Sequence, residues 1–449
     1  MKLNLAMDNL KDFYNSNQTK TTTFRVKNLT RLLNSIKKNE LELLNALSLD
    51  LSLSNEEAYM TELSSVYREL KLFIRKLKSW MKPKRNKGRR FNYPAKSYNT
   101  YNSCGVSLIV NYTIHFCLNT FSPLIASLSA GNVIFLKLNS NAVNTNKIIR
   151  LILNETFIDN FIYIASEDAV LSEIAAFQFD HIYYAGNREI ALPLLKSPVN
   201  LTTPLLTEFS TKTPCIIDKV CDIEKACQKI IWAKTIKAGQ SNFSIDYLLV
   251  NKYNRFEIVK ALKKYIKKFY PDPLNDEHYP KIANEKLFNR LVKILYEGKL
   301  LHGGKYHSYF TKIEPTIMEN INHNLILKDD TLGPILPIFE YETIEEAIEF
   351  INSKEKPLVA YYFSLNKKNV ELVTNQLNAS NISVNETILP FIDDKLPLAG
   401  ISNKSLFSFN SFVNFSNTKH IFKKKLYRHE SLRFPPYTGK MKDYKKNLE

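Results

Sequence analysis

Short apolar runs alternate with helical patterns through the first half of the chain, and this alternation constrains the fold more than any other feature. The runs typical of buried strands are residues 107–110, 133–136, 161–165, 181–184, 205–207 and 215–217. Helical patterns, such as 118–130 and 147–153, occupy the gaps between the first four runs. Strands that are apolar on both faces are typical of a parallel sheet covered by helices on both sides. The sequence therefore predicts an α/β fold built on a parallel sheet.

Helical patterns and a second α/β block flank this region. Apolar residues recur with near-helical spacing over 24–51 and again over 56–80, which predicts two amphipathic helices. Further along, the sequence predicts helices near 223–237, 256–269 and 285–296 and strands near 247–250 and 359–364. The length of 449 residues is sufficient for two or three domains with well-buried cores.

The composition is that of a globular protein with an excess of basic residues. Hydrophobic residues make up 44% of the chain and charged residues 24%, which argues against a disordered chain. The formal net charge is +18, and basic segments lie at 82–90 and 423–428. Such segments neutralise phosphates in proteins that bind nucleic acid or lipid, but most charge runs are solvated surface. Nucleic-acid binding is therefore kept as a weaker alternative.

The cysteines and the N-terminus predict a cytoplasmic protein without a metal site. The five cysteines are an odd number and show neither a CxxC pair nor metal-ligand spacing, which favours reduced thiols. The first residues lack the apolar segment of a secretory signal. Residues 97–136 contain no Asp, Glu, Lys or Arg, but their asparagines, histidine, proline and glycines suit a soluble core better than a membrane span.

Six short motifs occur in the same order as in one known family. They lie at residues 179–186, 206–214, 238–247, 332–337, 355–358 and 433–437. The third reads Ala-Gly-Gln-Ser-Asn and is followed by Asp246-Tyr247. This series resembles the aldehyde dehydrogenase superfamily, in which the segment reads A-G-Q-[TS]-C. Within that family it is similar to the class-3-like branch, which handles fatty and aromatic aldehydes and usually forms dimers.

The resemblance implies an architecture, a cofactor and partners. It implies a Rossmann-type cofactor domain over 1–208, with 92–106 contributing to a small dimerisation or bridging element. A catalytic-type α/β domain over 209–395 and a return segment with an oligomerisation tail over 396–449 would follow. The implied cofactor is NAD or NADP. The implied partners are a second copy of the chain or an active paralogue, and the implied ligand is a long-chain or aromatic aldehyde.

The sequence departs from the family at the residues that perform the reaction. In the family a thiolate attacks the aldehyde carbon, the adduct gives hydride to the nicotinamide, and a carboxylate activates water to hydrolyse the thioester. The nucleophile position here is Asn242, and an amide forms no thiohemiacetal. The oxyanion asparagine is replaced by Ile114, and losing one such donor costs roughly 10²–10³ in rate. The general-base position is retained as Glu208, where a functional and an ordinary polar role are both open.

The implied cofactor positions are degenerate as well. Lys137 matches the family lysine that meets the adenosine ribose, and Gly186 matches the first glycine of the cofactor loop. Asp330 replaces a glutamate that contacts the nicotinamide ribose, and Leu332 replaces a nearby phenylalanine. The chain has only 11 glycines, where an average usage of about 7% would give roughly 30. The missing glycines fall in loops that would approach the cofactor, so dinucleotide binding is in doubt.

These observations predict a family member that has lost the thiol-dependent oxidation of aldehydes. The alternative is an active NAD(P)-dependent aldehyde oxidoreductase that uses a different residue. Ser241 is the adjacent hydroxyl, but a serine nucleophile requires a neighbouring base. Cys117, three residues after Ile114, is expected to be a packed helix residue and not a substitute nucleophile.

Overall fold

Parallel strands form the centre of both main layers of the molecule. The computed structural model describes residues 2–87, 95–209, 211–322, 333–392, 408–424, 434–442 and 445. The strands are β1 Lys84–Asn86, β2 Ala95–Ser103, β3 Val106–Asn111, β4 Val133–Lys137, β5 Ile162–Ile164, β6 His181–Gly186, β7 Leu205–Phe209, β8 Pro214–Ile217, β9 Tyr247–Asn251, β10 Lys299–His302, β11 Tyr306–His307, β12 Lys312–Ile313, β13 Thr316–Glu319, β14 Ile335–Tyr341, β15 Val359–Phe363, β16 Asn381–Val384 and β17 Ser416–Lys424.

Helices connect the strands and precede the first sheet. They are α1 Lys2–Asn15, α2 Thr22–Lys38, α3 Glu40–Leu51, α4 Asn55–Ala58, α5 Ser64–Trp80, α6 Leu118–Ala130, α7 Val143–Thr156, α8 Leu171–Ile174, α9 Leu192–Leu195, α10 Ile223–Thr235, α11 Arg255–Phe269, α12 Glu285–Ile294, α13 Ile344–Asn352, α14 Lys367–Gln376, α15 Leu389–Ile392 and α16 Ser408–Asn414. No helix in the described part of the chain is long and apolar enough to cross a bilayer.

The first sheet confirms the predicted α/β alternation. Its order is β5-β4-β3-β6-β7, and all of its strands are parallel. Every residue of β3, β4 and β6 is buried, as the continuous apolar runs predicted. The chain leaves β3 toward β4 on one side and returns to β6 on the other. Ligand crevices in such sheets lie at the carboxyl ends of the strands where the order reverses, so the loop after β3 adjoins this crevice.

The second sheet contains the apolar run at 215–217. This run had been grouped with the first series of strands, but it forms β8 of a separate sheet. The order of that sheet is β10-β13-β14-β9-β8-β15-β16, and only the pairing of β10 with β13 is antiparallel. Because β7 ends at Phe209 and β8 begins at Pro214, the link between the two sheets is short.

Three predicted helices differ in detail from the structure. The pattern over 24–51 forms two helices, because Asn39 leaves the helical conformation between α2 and α3. The pattern over 56–80 is interrupted by a π-helical turn at Tyr59–Leu63. The helix predicted over 223–237 ends at Thr235, where Ile236 becomes extended. Both the π-turn and this early helix end lie beside the candidate site described below.

A three-stranded antiparallel sheet joins distant parts of the chain. Its order is β1-β2-β17, with Ser416 opposite Ser103 and Lys424 opposite Ala95. The basic segment at 82–90 is therefore partly a strand, since β1 pairs with β2. The sequence did not predict this strand because of its charged side chains. In the structure, the Lys84 Nζ lies 3.7 Å from the centre of the Phe409 ring.

The apolar cores follow the two main sheets. One core combines the N-terminal helices with both faces of the first sheet and also includes Phe412 and Phe415 from the C-terminal part. Two further cores lie against the second sheet. The division at residues 208 and 395, and the bridging role of 92–106, remain predictions.

Candidate functional site

The loop after β3 is organised by a buried asparagine. The Asn111 Oδ1 accepts hydrogen bonds from the backbone N–H and the hydroxyl of Thr113, both at 2.9 Å. The Asn111 Nδ2 donates to the His115 carbonyl at 3.0 Å. Ile114 lies between these contacts and is partly exposed, while His115 is buried. The position expected to supply an oxyanion donor therefore presents an alkyl group.

The second half of the site is a tight turn that follows α10. Lys237 and Ala238 adopt left-handed conformations, with φ of 49° and 48°, which is unfavourable for residues with a Cβ. Gly239 continues the turn at a φ of 70°, and a Cβ there would collide with the carbonyl oxygen of Gly333. Gln240 anchors the turn by donating to the Lys237 carbonyl at 2.8 Å. Strained backbone of this kind persists where the surrounding structure enforces it, often at functional sites.

The register of the segment after this turn is fixed by neighbouring hydrogen bonds. The Thr213 hydroxyl donates to the Asn242 carbonyl at 3.1 Å. The backbone N–H of Thr213 donates to the Asp246 carboxylate at 2.8 Å, and the Asp246 N–H donates back to the Thr213 carbonyl at 2.9 Å. Asn242 is partly exposed. These contacts fix the backbone position of Asn242 between the turn and Asp246.

A buried polar cluster lies directly beside Asn242, and we call it the Glu62 cluster: Glu62, His115, Lys237 and Ser241. The His115 Nε2 lies 3.0 Å from the Ser241 hydroxyl oxygen. The His115 Nδ1 lies 3.2 Å from the Glu62 Oε1 and 2.9 Å from the Lys237 Nζ. Lys237 also pairs directly with Glu62. All four residues are less than 9% exposed.

Three separate elements bring the Glu62 cluster together. Glu62 lies in the π-turn between α4 and α5, a rare geometry that often marks functional sites. The Glu62 Oε2 accepts the N–H groups of Cys117 and Leu118 at 2.8 and 2.9 Å. This contact holds Glu62 at the start of α6. The sequence did not predict the cluster because Glu62, His115 and the segment 237–241 are far apart in the chain.

The charges within the cluster are set by burial and by Lys237. Burial alone would raise the pKa of Glu62, but Lys237 and His115 outweigh it and hold that pKa at about 2. Burial lowers the pKa of His115, and the adjacent Lys237 charge lowers it further. Glu62 is therefore ionised and His115 is neutral at neutral pH.

Glu208, the retained general-base position, has a different environment. It lies on β7 and is partly exposed. The Tyr183 hydroxyl donates to the Glu208 Oε1 at 2.6 Å. Burial of the carboxyl group raises the pKa of Glu208 to about 7, and the Tyr183 hydrogen bond opposes this only in part.

The residues at the expected cofactor positions are engaged within the protein. The Lys137 Nζ donates to the carbonyl oxygens of Ser166 and Glu167 at 3.0 and 2.8 Å. Gly186 has a φ of 145°, and a Cβ there would lie 2.8 Å from the Cβ of Tyr112. Asp330 and Leu332 lie outside the described residues.

The turn after β6 uses its own side chain to satisfy the backbone. The Asn187 Oδ1 accepts the N–H of Glu189 at 2.6 Å and that of Ile190 at 3.3 Å. Pyrophosphate groups commonly bind such N–H groups at the start of a helix. The helix that follows, α9, has only four residues. In this conformation the Asn187 side chain accepts N–H groups of the kind that a pyrophosphate binds.

The five cysteines all lie within the described residues and are free. Cys117, Cys215 and Cys227 are fully buried. Burial raises the pKa of Cys117 well above its ordinary value, and the Glu62 charge raises it further. Burial also raises the pKa of Cys104 to about 11 and that of Cys221 to about 12. None of these environments produces the thiolate that aldehyde capture requires.

No group of three potential metal ligands occurs among the histidines, cysteines and acidic residues that the structure describes. Of the basic segments, residues 88–90 and 425–428 lie outside the described residues. Nucleic-acid binding is therefore still only an alternative from the sequence.

One known family matches most of the chain. The family model for the aldehyde dehydrogenase family matches residues 2–420. The chain belongs to the aldehyde dehydrogenase family. This confirms the family and the α/β fold that the motif series implied.

Relatives of similar length support this membership. The chain is 30% identical to 4,4'-diaponeurosporen-aldehyde dehydrogenase of Staphylococcus aureus, with 96% of each chain covered. It is 29% identical to the dimeric NADP-preferring aldehyde dehydrogenase of the dog, covering 98% of this chain and 99% of that one. It is also 28% identical to aldehyde dehydrogenase family 3 member A2 of Pongo abelii, over 99% of this chain and 93% of that one.

Solved structures show the same fold. The substrate-bound state of Staphylococcus aureus AldH superposes with a TM-score of 0.95 at 29% identity, covering 100% of this chain and 99% of that chain. A 1-pyrroline-5-carboxylate dehydrogenase from Thermus with bound NAD has a TM-score of 0.82 at 15% identity, over 93% and 84% of the two chains. The scaffold is therefore that of the family, whatever the side chains at the site now do.

Proposed function

We propose that this aldehyde dehydrogenase-family protein does not oxidise aldehydes through a covalent thiol adduct. The observation that carries this proposal is Asn242 at the nucleophile position, in a register fixed by Thr213 and Asp246. A carboxamide nitrogen is a poor nucleophile because its lone pair is delocalised. It therefore cannot form the adduct from which hydride would leave.

Two further observations support the loss of this reaction. Ile114 provides no hydrogen-bond donor to a developing oxyanion. The thiol of Cys117, which is near in sequence, is fully buried and has a raised pKa. Glu208 has a pKa of about 7, which suits a general base. A base of this kind activates water for the hydrolysis of an acyl-enzyme, and without the thiol that intermediate does not form.

We further propose that NAD or NADP binds weakly or not at all. The family uses this cofactor to accept hydride from the substrate adduct. Here the Asn187 side chain occupies N–H groups at the turn after β6, and Lys137 is bound to two backbone carbonyls. Both would have to release their present partners for a dinucleotide to bind.

The protein is proposed to act in the cytoplasm as a homodimer, or as a heterodimer with an active paralogue. A related enzyme is named as dimeric, and β17 is an edge strand of the three-stranded sheet. Edge strands pair readily with a second chain. The proposed ligand is a long-chain or aromatic aldehyde or a compound of similar shape, in line with the name of the Staphylococcus aureus relative.

An assay of NADH or NADPH formation with medium-chain and aromatic aldehydes tests the loss of activity. The unaltered protein is expected to give no signal above the buffer at high protein concentration. Asn242→Cys combined with Ile114→Asn restores the two missing groups and is expected to give measurable oxidation if the cofactor still binds. Thermal stability with and without NAD and NADP reports binding separately, because a ligand of the native state raises stability. Oxidation by the unaltered protein would contradict the proposal.

A further inference from the structure

Ser241 has the neighbouring base that a serine nucleophile requires. Its hydroxyl oxygen lies 3.0 Å from the His115 Nε2, and the His115 Nδ1 lies 3.2 Å from the Glu62 Oε1. Nucleophile, base and orienting carboxylate in this sequence of contacts are the components of a serine hydrolase site. We propose that Ser241 is the nucleophile of an ester-hydrolysing site, with His115 as general base and Glu62 as the residue that orients it.

The position of Ser241 suits an acyl substrate. It directly precedes Asn242, the residue at which the family captures a carbonyl carbon. Ile114 and Phe243 are partly exposed next to the cluster in the chain and provide apolar surface. The side-chain amide of Asn242 is of a type that stabilises oxyanions. These features favour carboxylic esters with an apolar acyl group.

Burial and the charge of Lys237 both make His115 less basic. When His115 donates its Nδ1 proton to Glu62, its Nε2 is free to accept the proton of the Ser241 hydroxyl. The opposite tautomer forms when Lys237 donates to Nδ1, and it has no base for the serine. Because the Lys237 charge disfavours the imidazolium, we expect slow turnover and a preference for activated esters.

The proposed reaction needs no oxidant. The Ser241 oxygen forms a bond to the ester carbonyl carbon while its proton passes to the His115 Nε2. The tetrahedral intermediate expels the alcohol, which takes this proton, and an acyl-serine remains. A water molecule then attacks the acyl carbon, gives a proton to His115, and releases the carboxylic acid while Ser241 regains its proton. This activity is independent of a nicotinamide cofactor and goes beyond the proposed function.

The first test is hydrolysis of p-nitrophenyl butyrate by the full chain without added cofactor. We expect measurable turnover, and a decrease of at least about 10²-fold in Ser241→Ala. The matched control is Ser244→Ala, since Ser244 is also buried and close in the chain but is not part of the cluster. Loss in Ser241→Ala with retention in Ser244→Ala supports the proposal. Equal activity in both variants, or no activity in the unaltered protein, overturns it.

Covalent labelling gives a second readout that a merely structural role of Ser241 would not produce. An alkyl fluorophosphonate is expected to add one phosphonyl group to the unaltered protein, and peptide mapping should place it on Ser241. The label should form more slowly in His115→Gln. Labelling elsewhere, or no labelling, overturns the proposal. Failure of the proposed function would instead appear as aldehyde-dependent NADH formation, so the two outcomes remain distinguishable.

The pH dependence of hydrolysis identifies the base. Burial lowers the pKa of His115 most, the facing charge of Lys237 lowers it further, and the facing carboxylate of Glu62 opposes them only in part. The rate should therefore decrease only at a pH below the ordinary histidine value of about 6.5. A midpoint at or above that value would contradict a role for His115 in this environment.

Discussion

Two glutamates with desolvated carboxyl groups differ in their charge at neutral pH, and the difference comes from their hydrogen-bonding and ionic partners. Glu62 pairs with Lys237 and has a pKa of about 2 in spite of complete burial. Glu208 has only the Tyr183 hydroxyl as a hydrogen-bonding partner among the contacts described, and burial raises its pKa to about 7. A cation thus stabilises the charge of one carboxylate, whereas the other is partly protonated at neutral pH.

The two glutamates also differ in their relation to the family's reaction. The motif series assigns Glu208 to the general-base position of the family, and the proposed function gives it no nucleophilic thiol. Glu62 instead organises His115, Lys237 and Ser241 beside Asn242. The scaffold of the family is preserved, and we propose that the groups at the position of carbonyl capture differ from those of the family.

Removing the positive charge of Lys237 should have the largest effect on the stability of the protein. Lys237→Met leaves the carboxylate of Glu62 buried with only His115 and backbone N–H groups as partners. Loss of one member of a buried ion pair costs about 3–5 kcal/mol, so the free energy of unfolding in urea should decrease by this amount. The matched control is Lys38→Met, because Lys38 forms an exposed ion pair with Glu155. It should change little.

The pH dependence of stability in the same variant tests the direction of the pKa shift of Glu62. Because the pKa of Glu62 is depressed in the folded protein, its stabilising effect is present above the ordinary carboxyl value of 4.5 and is lost as the pH falls toward about 2. Lys237→Met should lack much of this contribution. A variant as stable as the unaltered protein at neutral pH would show that the pair does not determine the charge of Glu62.

Removing the hydroxyl partner of Glu208 should have a smaller effect. Tyr183→Phe leaves the carboxyl group without the donor at 2.6 Å, and an unsatisfied buried acceptor costs roughly 1–3 kcal/mol. The pKa of Glu208 should increase further, because this hydrogen bond lowers it. Tyr184→Phe is the control, since its hydroxyl donates to the neutral Asn187 carbonyl at 2.7 Å. Urea unfolding of both variants measures the difference, and an equal cost in the two would contradict a special role for Glu208.

Neutralising Glu208 should have the smallest effect on stability. The change should be a gain in stability, whereas loss of the Glu62 ion pair is destabilising. A raised pKa contributes stability below about pH 4.5 that is lost as the pH rises through about 7. Glu208→Gln removes this loss. The variant should therefore gain stability relative to the unaltered protein over this range, on the order of 1 kcal/mol once partial exposure is considered. Thermal unfolding at pH 5 and at pH 8 checks the sign, and a gain at the lower pH alone would refute it.

The sequence predicted the scaffold because the scaffold depends on local pattern. The apolar runs at 133–136 and 181–184 lie within β4 and β6, and 118–130 is α6 to the residue. The strand β1 was missed because Lys84 and Arg85 are charged, and its pairing with β2 is not a local property.

The site could be predicted only where a motif encodes it. Asn242 and Glu208 follow from aligned motifs, but Glu62 and His115 are 53 positions apart in the chain. Each alone has an ordinary structural interpretation. Their contact depends on the π-turn at Tyr59–Leu63 and on the left-handed turn at Lys237. Neither distortion has a local sequence signal.

Under the proposed function, no thiol of this protein captures the carbonyl carbon of an aldehyde. The most direct measurement is a single-turnover experiment in which the protein, at a concentration near that of the substrate, is mixed rapidly with NAD or NADP and a medium-chain aldehyde. We expect no burst of reduced cofactor. A burst equal to the concentration of protein chains would contradict the account, because it would require a competent nucleophile and a bound dinucleotide in the unaltered protein.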